Sequence, residues 1–304
     1  MPVPPHLTVL TASYNRAHLL GRLHASLAHQ TVDEGVVEWL VVDDGSTDAT
    51  ATLLDDLAHE GGAVRLRTLR ARHGGKHRAL NLGLQAARAP WVMVVDSDDW
   101  CTPDALPRAM AETATVPEDV FAILAPLVVP RAGRQFSFGR PRRAVSFAQR
   151  SLEDPPFDCT LILRRAAPGL RFPEFEGEDF LAEAALLFDL GKESRVWLSD
   201  QVLVGAEYQP DGLSARIRRK RMDSPLGACH TYQTMLACPL RAGQRLRALA
   251  NFGRFWWHAL MARRHPLPRP ASLGQALALG AGWALALADR RAESRAPRAR
   301  ERRD

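Results

Sequence analysis

Apolar positions along the first hundred residues alternate between short continuous runs and helically spaced sets. Leu7 to Leu10 is a brief apolar run that predicts a first strand, followed by the turn-rich Thr11-Ala12-Ser13-Tyr14-Asn15. Leu19, Leu20, Leu23 and Leu27 then fall on one helical face. Val36 to Val42 is a near-continuous apolar run, the pattern of a strand buried on both faces, and Asp43 to Asp48 breaks it. Ser46 or Thr47 is placed to cap the following helix, which carries Leu53, Leu54 and Leu57. Val64 to Leu69 predicts a third strand, Gly74-Gly75 a break, and Leu80, Leu82 and Leu84 a helix. Trp91 to Val95 predicts a fourth strand that runs into Asp96-Ser97-Asp98-Asp99.

Strands alternating with helices in this way predict an α/β fold with a mostly parallel sheet covered on both faces. Ligands of such sheets sit beyond the carboxyl ends of the strands, and the polar clusters at 11–15, 43–48 and 96–99 all fall at that edge. The pattern then loosens. Val120 to Val129, Cys159 to Leu163 and Val202 to Tyr208 predict strands, and Asp179 to Leu190 a helix with Leu181, Ala185 and Phe188 on one side. Beyond Pro225 the chain reads as helical, with a linker at Pro266, Pro268 and Pro270. The expected organisation is a catalytic domain over 1–222, a helical extension over 223–289 and a basic disordered tail over 290–304.

Composition changes this picture little. The chain has 304 residues, 46% of them hydrophobic, enough for one large domain with an appendage. Its net charge of +6 is concentrated between Arg216 and Arg221 and between Arg290 and Arg303. A charge that local does not argue for nucleic acid as a partner. Cys101, Cys159, Cys229 and Cys238 form no C-x-x-C pair and read as reduced thiols in a cytoplasmic protein. The first ten residues lack the pattern of a signal peptide, and no apolar run reaches the length of a membrane span. The apolar stretch 275–288 beside the Arg-rich tail leaves two readings open: a helix packed on the catalytic domain, or a peripheral contact with the inner face of a membrane. Phe252, Phe255, Trp256, Trp257, His230 and His258 sit at helical spacing and read as core or interface.

The chemistry lies in the polar clusters. Asp96 and Asp98, alternate residues at a strand end, can aim two carboxylates at one ion, and hard oxygen ligands suit Mg²⁺ or Mn²⁺. Asp43 and Asp44 set like charges side by side, which is unfavourable unless donors answer them. The N–H and O–H groups of a nucleoside would do so.

Four segments in order carry a resemblance. They are Thr8-Val9-Leu10-Thr11-Ala12-Ser13-Tyr14-Asn15-Arg16, Val41-Val42-Asp43-Asp44-Gly45-Ser46-Thr47-Asp48, Gly74-Gly75-Lys76-His77-Arg78-Ala79-Leu80-Asn81-Leu82-Gly83 and Asp96-Ser97-Asp98-Asp99. Together they resemble the ordered motifs of family 2 glycosyltransferases, over about residues 5–215. The resemblance implies a GT-A-type three-layer sandwich with a small C-terminal helical extension. It also implies inverting, metal-dependent transfer of one sugar from a nucleotide diphosphate donor to a glycan, lipid-linked or small-molecule acceptor. By the same resemblance, Thr11, Ala12 and Asn15 would line the nucleoside pocket, and Asp43 or Asp44 would accept from the base. Lys76 and Arg78 would lie near base or diphosphate, Asp96 near the ribose or metal-bound water, and Asp98 on the metal. Gly177-Glu178-Asp179-Phe180 is similar to the family's downstream acidic pair, making Asp179 the base that deprotonates the acceptor and Glu178 its support. First-turn acids of a helix are the plainer reading of that pair.

The family's frequent His is absent from Tyr208-Gln209-Pro210-Asp211-Gly212-Leu213-Ser214, where Ser214 is a substitute donor. Two rivals remain: a nucleotidyltransferase, which would use a Gly- and Arg/Lys-rich first loop, and a nucleotide-binding module without activity. The whole reading requires Asp44, Asp98 and Asp179 to border one cleft.

Overall fold

A computed structural model describes residues 4–130, 134–135, 137–138, 141–147, 150, 159–192, 194–209 and 212–295. Three parallel strands begin the sheet: β1 (Leu7–Ser13), β2 (Val37–Asp43) and β3 (Arg65–Arg70). All seven residues of β2 are buried, as its unbroken apolar run predicts. The edge strand β3 instead alternates arginines with Leu66, Thr68 and Leu69, and charge on an edge discourages further pairing. β4 (Trp91–Val94) pairs parallel to β1 on its other side. Helices α1 (Ala17–Ala28), α2 (Thr50–Glu60) and α3 (Lys76–Ala86) connect these strands.

Beyond β4 the sheet turns mixed. β5 is Trp100–Cys101, and α4 (Ala105–Thr113) leads to β6 (Val120–Val129). Short strands β7 (Arg134–Gln135) and β8 (Arg143–Ser146) precede β9 (Cys159–Arg164). Helix α5 (Ala184–Leu190), β10 (Arg195–Leu198) and β11 (Val204–Gly205) follow. The sheet order is β3-β2-β1-β4-β9-β6-β10-β8. β9 is antiparallel to both β4 and β6, while β10 is parallel to β6. Two apolar clusters cover opposite faces. Leu10, Val42, Leu80 and Phe188 belong to one, and Leu23, Trp39, Leu54 and Ile123 to the other. Alternate residues of β1 and β2 thus serve opposite layers, giving the three-layer α/β arrangement expected.

The C-terminal helices are α6 (Leu213–Asp223), α7 (Pro225–Leu236), α8 (Ala242–Met261) and α9 (Leu273–Arg295). They form a third cluster around Cys229, Phe252 and Phe255, and His258 is buried with them. All four cysteines are free thiols. Among the described residues no helix is long and apolar enough to cross a membrane.

Several boundaries differ from the sequence reading. β1 extends through Ser13, because its hydrogen-bonded register with β2 continues past the apolar run to pair Thr11, Ala12 and Ser13 with Val41, Val42 and Asp43. The helix expected over Asp179–Leu190 is confined to Ala184–Leu190, and the strand expected over Val202–Tyr208 to Val204–Gly205. Helix α9 runs through Arg295, so the tail expected from 290 starts inside a helix. Residues 296–304, Pro210, Asp211 and the Ser214 side chain lie outside the described residues.

Candidate active site

The carboxyl ends of β1, β2 and β4 converge, and the loops that leave them are tied together by side chains. Asn15 adopts a left-handed φ of 53°. Its Oδ1 accepts from the backbone N–H of Thr47 at 2.7 Å and of Asp48 at 3.3 Å, while its own N–H donates to Ser46 Oγ at 2.9 Å. Asp48 Oδ1 accepts from the Thr50 N–H at 2.9 Å, so the start of α2 is held by Asp48 rather than by Ser46 or Thr47. This corrects the capping expectation. Asn15 is a clamp between two loops, and Ser46 serves that clamp instead of the helix.

The Asp43-Asp44 pair is answered, but by protein. Asp43 Oδ1 accepts from the Ser46 N–H at 2.9 Å. Asp44 is 3% exposed. Its Oδ1 accepts from the Gly74 N–H at 2.9 Å and its Oδ2 from the Gly75 N–H at 2.8 Å, with His73 Nδ1 at 2.9 Å from Oδ2. Asp44 is thus a buried support of the glycine loop, while Asp43, also buried, has one oxygen held by Ser46. Thr11 is likewise buried, its hydroxyl accepting from Trp39 Nε1 at 3.1 Å, and Ala12 packs against the core. Both belong to β1, which continues as sheet where a loop was expected, and Ala12 is only half-buried. What this corner does present is Tyr14, 40% exposed and stacked on His73 with centroids 4.0 Å apart. A flat aromatic surface suits a nucleobase.

The glycine loop carries the cleft across to the acidic segment. Gly75 has φ 95°, and a Cβ built there would lie 1.8 Å from the Asp179 carbonyl oxygen. Only glycine permits that approach. Lys76, the first residue of α3, reaches Asp96 with Nζ 2.5 Å from Oδ1, and Glu183 with Nζ 2.5 Å from Oε1. Burial would lower the Lys76 pKa, but the two carboxylates override it and raise it. Asp44 thus holds Gly75, Gly75 abuts Asp179, and Lys76 bridges Asp96 to Glu183. The segments that carry Asp44, Asp96 and Asp179 are thus joined through the glycine loop and Lys76.

Arg78 does not face that cleft. Its Nη2 donates to the Phe175 carbonyl at 2.7 Å, fixing the 171–177 segment instead. Beside it His77 is buried, its pKa pushed down to about 4 by burial and by Arg78.

Asp96, Asp98 and Asp99 crowd like charges at the end of β4. Burial and then Asp96 raise the Asp98 pKa, and burial with Asp96 and Asp98 pushes Asp99 up to about 9. The loop is braced by Arg22, which donates to the Asp98 carbonyl, pairs with Glu207 at 2.8 Å and stacks over Trp100 at 4.4 Å. Among the described residues no group of three or more His, Cys, Asp or Glu is arranged to enclose a metal ion. Carboxylates strained by mutual repulsion and offering hard oxygens are still a donor set that suits Mg²⁺ or Mn²⁺, which commonly takes one or two carboxylates and completes its shell with phosphate and water.

The acidic pair divides into two roles. Glu178 is buried, and its oxygens accept from the N–H groups of Leu226 and Gly227, both at 2.8 Å, in the first turn of α7. It caps a helix that lies 47 residues further on, so it neither touches the cleft nor opens its own helix. Asp179 is half-buried. Lys220 Nζ donates to its Oδ2 at 2.7 Å, and Ser224 Oγ lies 3.4 Å from Oδ1. Burial would raise the Asp179 pKa, but Lys220 outweighs it and holds the carboxyl below its usual range. Sequence reasoning missed Glu183, Lys220, Ser224, Arg22 and the Tyr14–His73 stack. Only Glu183, four residues after Asp179, offered any local signal.

Residues 8–163 match the model of glycosyl transferase family 2. The succinoglycan biosynthesis protein ExoO of Rhizobium meliloti is 35% identical over 188 residues, 61% of this chain and 51% of ExoO. The undecaprenyl-phosphate 4-deoxy-4-formamido-L-arabinose transferase of Pseudomonas fluorescens is 36% identical over 130 residues, 42% of this chain and 36% of that one. The chain thus matches about half, or less, of the length of these relatives. Among solved structures, S. aureus TarS 1-349 in complex with UDP-GlcNAc superposes with a TM-score of 0.62 at 20% identity, covering 90% of this chain and 79% of TarS. Mannosyltransferase PcManGT from Pyrobaculum calidifontis, in complex with GDP-Man and Mn²⁺, gives 0.57 at 19% identity, covering 94% and 81%. The fold is of the GT-A type.

Proposed function

The chain belongs to glycosyl transferase family 2, and from that premise we propose that it moves one sugar from a nucleotide diphosphate donor to an acceptor hydroxyl with inversion. What supports the proposal is the junction at the sheet edge, where Gly75 abuts the Asp179 backbone and the adjoining Lys76 pairs with Asp96 after β4. Tyr14 offers the base a stacking surface, and Asn15 and Asp44 hold the surrounding loops in register. Lys76 lies where it can exchange Asp96 for a diphosphate oxygen. Asp98 and Asp96 would hold a Mg²⁺ or Mn²⁺, whose charge offsets that of the departing diphosphate.

Asp179 is the general base. Its Oδ2 is engaged by Lys220, leaving Oδ1, with only the long Ser224 contact, for the acceptor. The acceptor oxygen forms its bond to the anomeric carbon as the bond to the diphosphate breaks, and its proton passes to Asp179 Oδ1. Lys220 keeps the base ionised at the expense of its strength. The nucleotidyltransferase reading lacks support, since Thr11-Ala12-Ser13-Tyr14-Asn15 has neither the glycines nor the basic residues it needs.

The relatives suggest a role in exopolysaccharide or cell-envelope assembly, with uridine and guanosine diphosphate sugars as the first donors to try and lipid-linked acceptors such as a polyprenyl phosphate among those to test. Such an enzyme would work from the cytoplasm at a membrane surface. A panel of nucleotide diphosphate sugars with Mn²⁺ or Mg²⁺, scored for slow donor hydrolysis and thermal stabilisation, tests the proposal. One donor is expected to stabilise the protein and release its sugar. Stabilisation by nucleotide diphosphates alone, with no sugar released from any donor, would indicate a binding module.

A further inference from the structure

Helix α9 buries one side against α8 and leaves the other side apolar. Gln275, Gly282, Ala286 and Asp289 are buried. At the crossing Gly282 and Gly253 meet so closely that a Cβ on Gly282 would lie 2.2 Å from the Gly253 backbone. Outward, Leu273 is 76% exposed, Leu277 70% and Trp283 51%, with Gly280, Ala281, Ala284 and Ala288 exposed between them. No charged residue occurs from Leu273 to Ala288, a span of about 24 Å at the rise of a helix. The outer face of a helix resting on a protein in water is normally charged or polar.

The charges that α8 and α9 set around this face are mostly basic, and Asp189, which shares a groove with Leu273, is paired with His230 and Lys192. Between Asp223 and Asp289 the chain contains no Asp or Glu. Asp289 is itself buried against Arg254 and His258. Helices α8 and α9 run in the same direction, since Leu249 lies beside Gly274 and Arg290 reaches Met261. Exposed Arg241, Arg245 and Arg247 therefore lie toward the Leu273 end, and exposed Arg263, Arg290 and Arg291 at the other. A second copy of the chain is a poor match, because pairing in either direction sets arginines against arginines. An anionic bilayer answers both ends at once, while the leucines and Trp283 enter its interface.

We propose that the outer face of α9 docks the protein on an anionic membrane surface, lying in the interface without crossing it. A bilayer contact would serve the lipid-linked acceptor suggested above, but vesicle binding and sugar transfer are measured separately, so either can fail alone. The test is co-sedimentation of the full chain with vesicles of phosphatidylcholine, with and without phosphatidylglycerol. Binding is expected only with phosphatidylglycerol, weakening as salt rises. Arg290→Gln/Arg291→Gln should weaken it about fivefold for each arginine removed. Leu273→Ser/Leu277→Ser, at exposed positions, should keep the wild-type melting curve and lose at least about tenfold. As an independent readout, the tryptophan emission of the unmutated chain should shift to the blue on phosphatidylglycerol vesicles, and Trp283→Phe should lose that shift. Binding indifferent to phosphatidylglycerol or to these substitutions would overturn the proposal. So would a dimer in solution that Leu273→Ser/Leu277→Ser dissociates.

Discussion

Gly75→Ala probes the joint between the donor side and the acceptor side of the cleft. Two costs follow from the structure. The backbone at Gly75 has φ 95° and ψ 157°, a region essentially reserved for glycine, where an alanine side chain costs about 1–3 kcal/mol. The new Cβ would also lie 1.8 Å from the Asp179 carbonyl oxygen, and relief to an ordinary contact of 3.4 Å requires a shift of about 1.6 Å in one or both segments. If Asp179 moves, the base leaves the acceptor. If Gly75 moves, the N–H that Asp44 holds at 2.8 Å is displaced and Lys76 with it. Either way a misplacement above about 1 Å should lower sugar transfer by about a hundredfold or more. Gly35→Ala is the control, for Gly35 has φ 81° and nothing within 4 Å of the built Cβ. It too places an alanine at positive φ, with no neighbour to displace. The assay is initial-rate transfer, or donor hydrolysis, with melting curves for both variants. A melting temperature lowered more in Gly75→Ala than in Gly35→Ala, with activity lost only in Gly75→Ala, is expected. Gly75→Ala retaining transfer within about threefold of Gly35→Ala would refute the close approach and the mechanical link it implies.

Glu178→Ala should strip the first turn of α7 of its two acceptors and destabilise the protein by about 2 kcal/mol. For a chain of this size that lowers Tm by roughly 3 °C, read by calorimetry, while an effect on transfer alone with unchanged Tm would return Glu178 to the chemistry. The buried Asp289 has its pKa lowered: burial opposes, but Arg254 and His258 prevail. Its stabilising contribution is therefore present above the unfolded carboxyl value near 3.8 and lost as pH falls through the lower folded value. Asp289→Asn should reduce stability near neutral pH and flatten the acid side of a denaturation-versus-pH curve, and parallel curves for the two proteins would contradict the pairing.

The sheet was legible in the first hundred residues because runs such as Val37 to Val42 are buried on both faces and admit little else. The polar clusters at its edge were legible as a site for the same reason: nothing in a buried strand calls for Asp43, Asp44 or Asp96. Their partners were not legible. The like charges at Asp43 and Asp44 demanded donors, but the donors are backbone N–H groups of Ser46, Gly74 and Gly75, and an N–H carries no sequence signature. Glu178 was readable as an acid that caps a helix, yet the helix is α7, brought to it by tertiary packing. Lys220 lay within a run of arginines that the sequence marked only as a local concentration of charge, and only the fold brings it to Asp179. The short strands β7, β8 and β10 escaped notice because two to four residues carry too little periodicity.

The central claim is that one cleft divides two tasks between two carboxylates, donor retention at Asp98 and proton removal at Asp179. Calorimetric titration of the preferred nucleotide diphosphate sugar with Mn²⁺, into the unmutated protein, Asp98→Ala and Asp179→Asn, tests it most directly when paired with transfer rates. Asp98→Ala should lose metal-dependent donor binding, and Asp179→Asn should bind the donor normally yet transfer no sugar. Undiminished donor binding by Asp98→Ala, or wild-type turnover by Asp179→Asn, would contradict it.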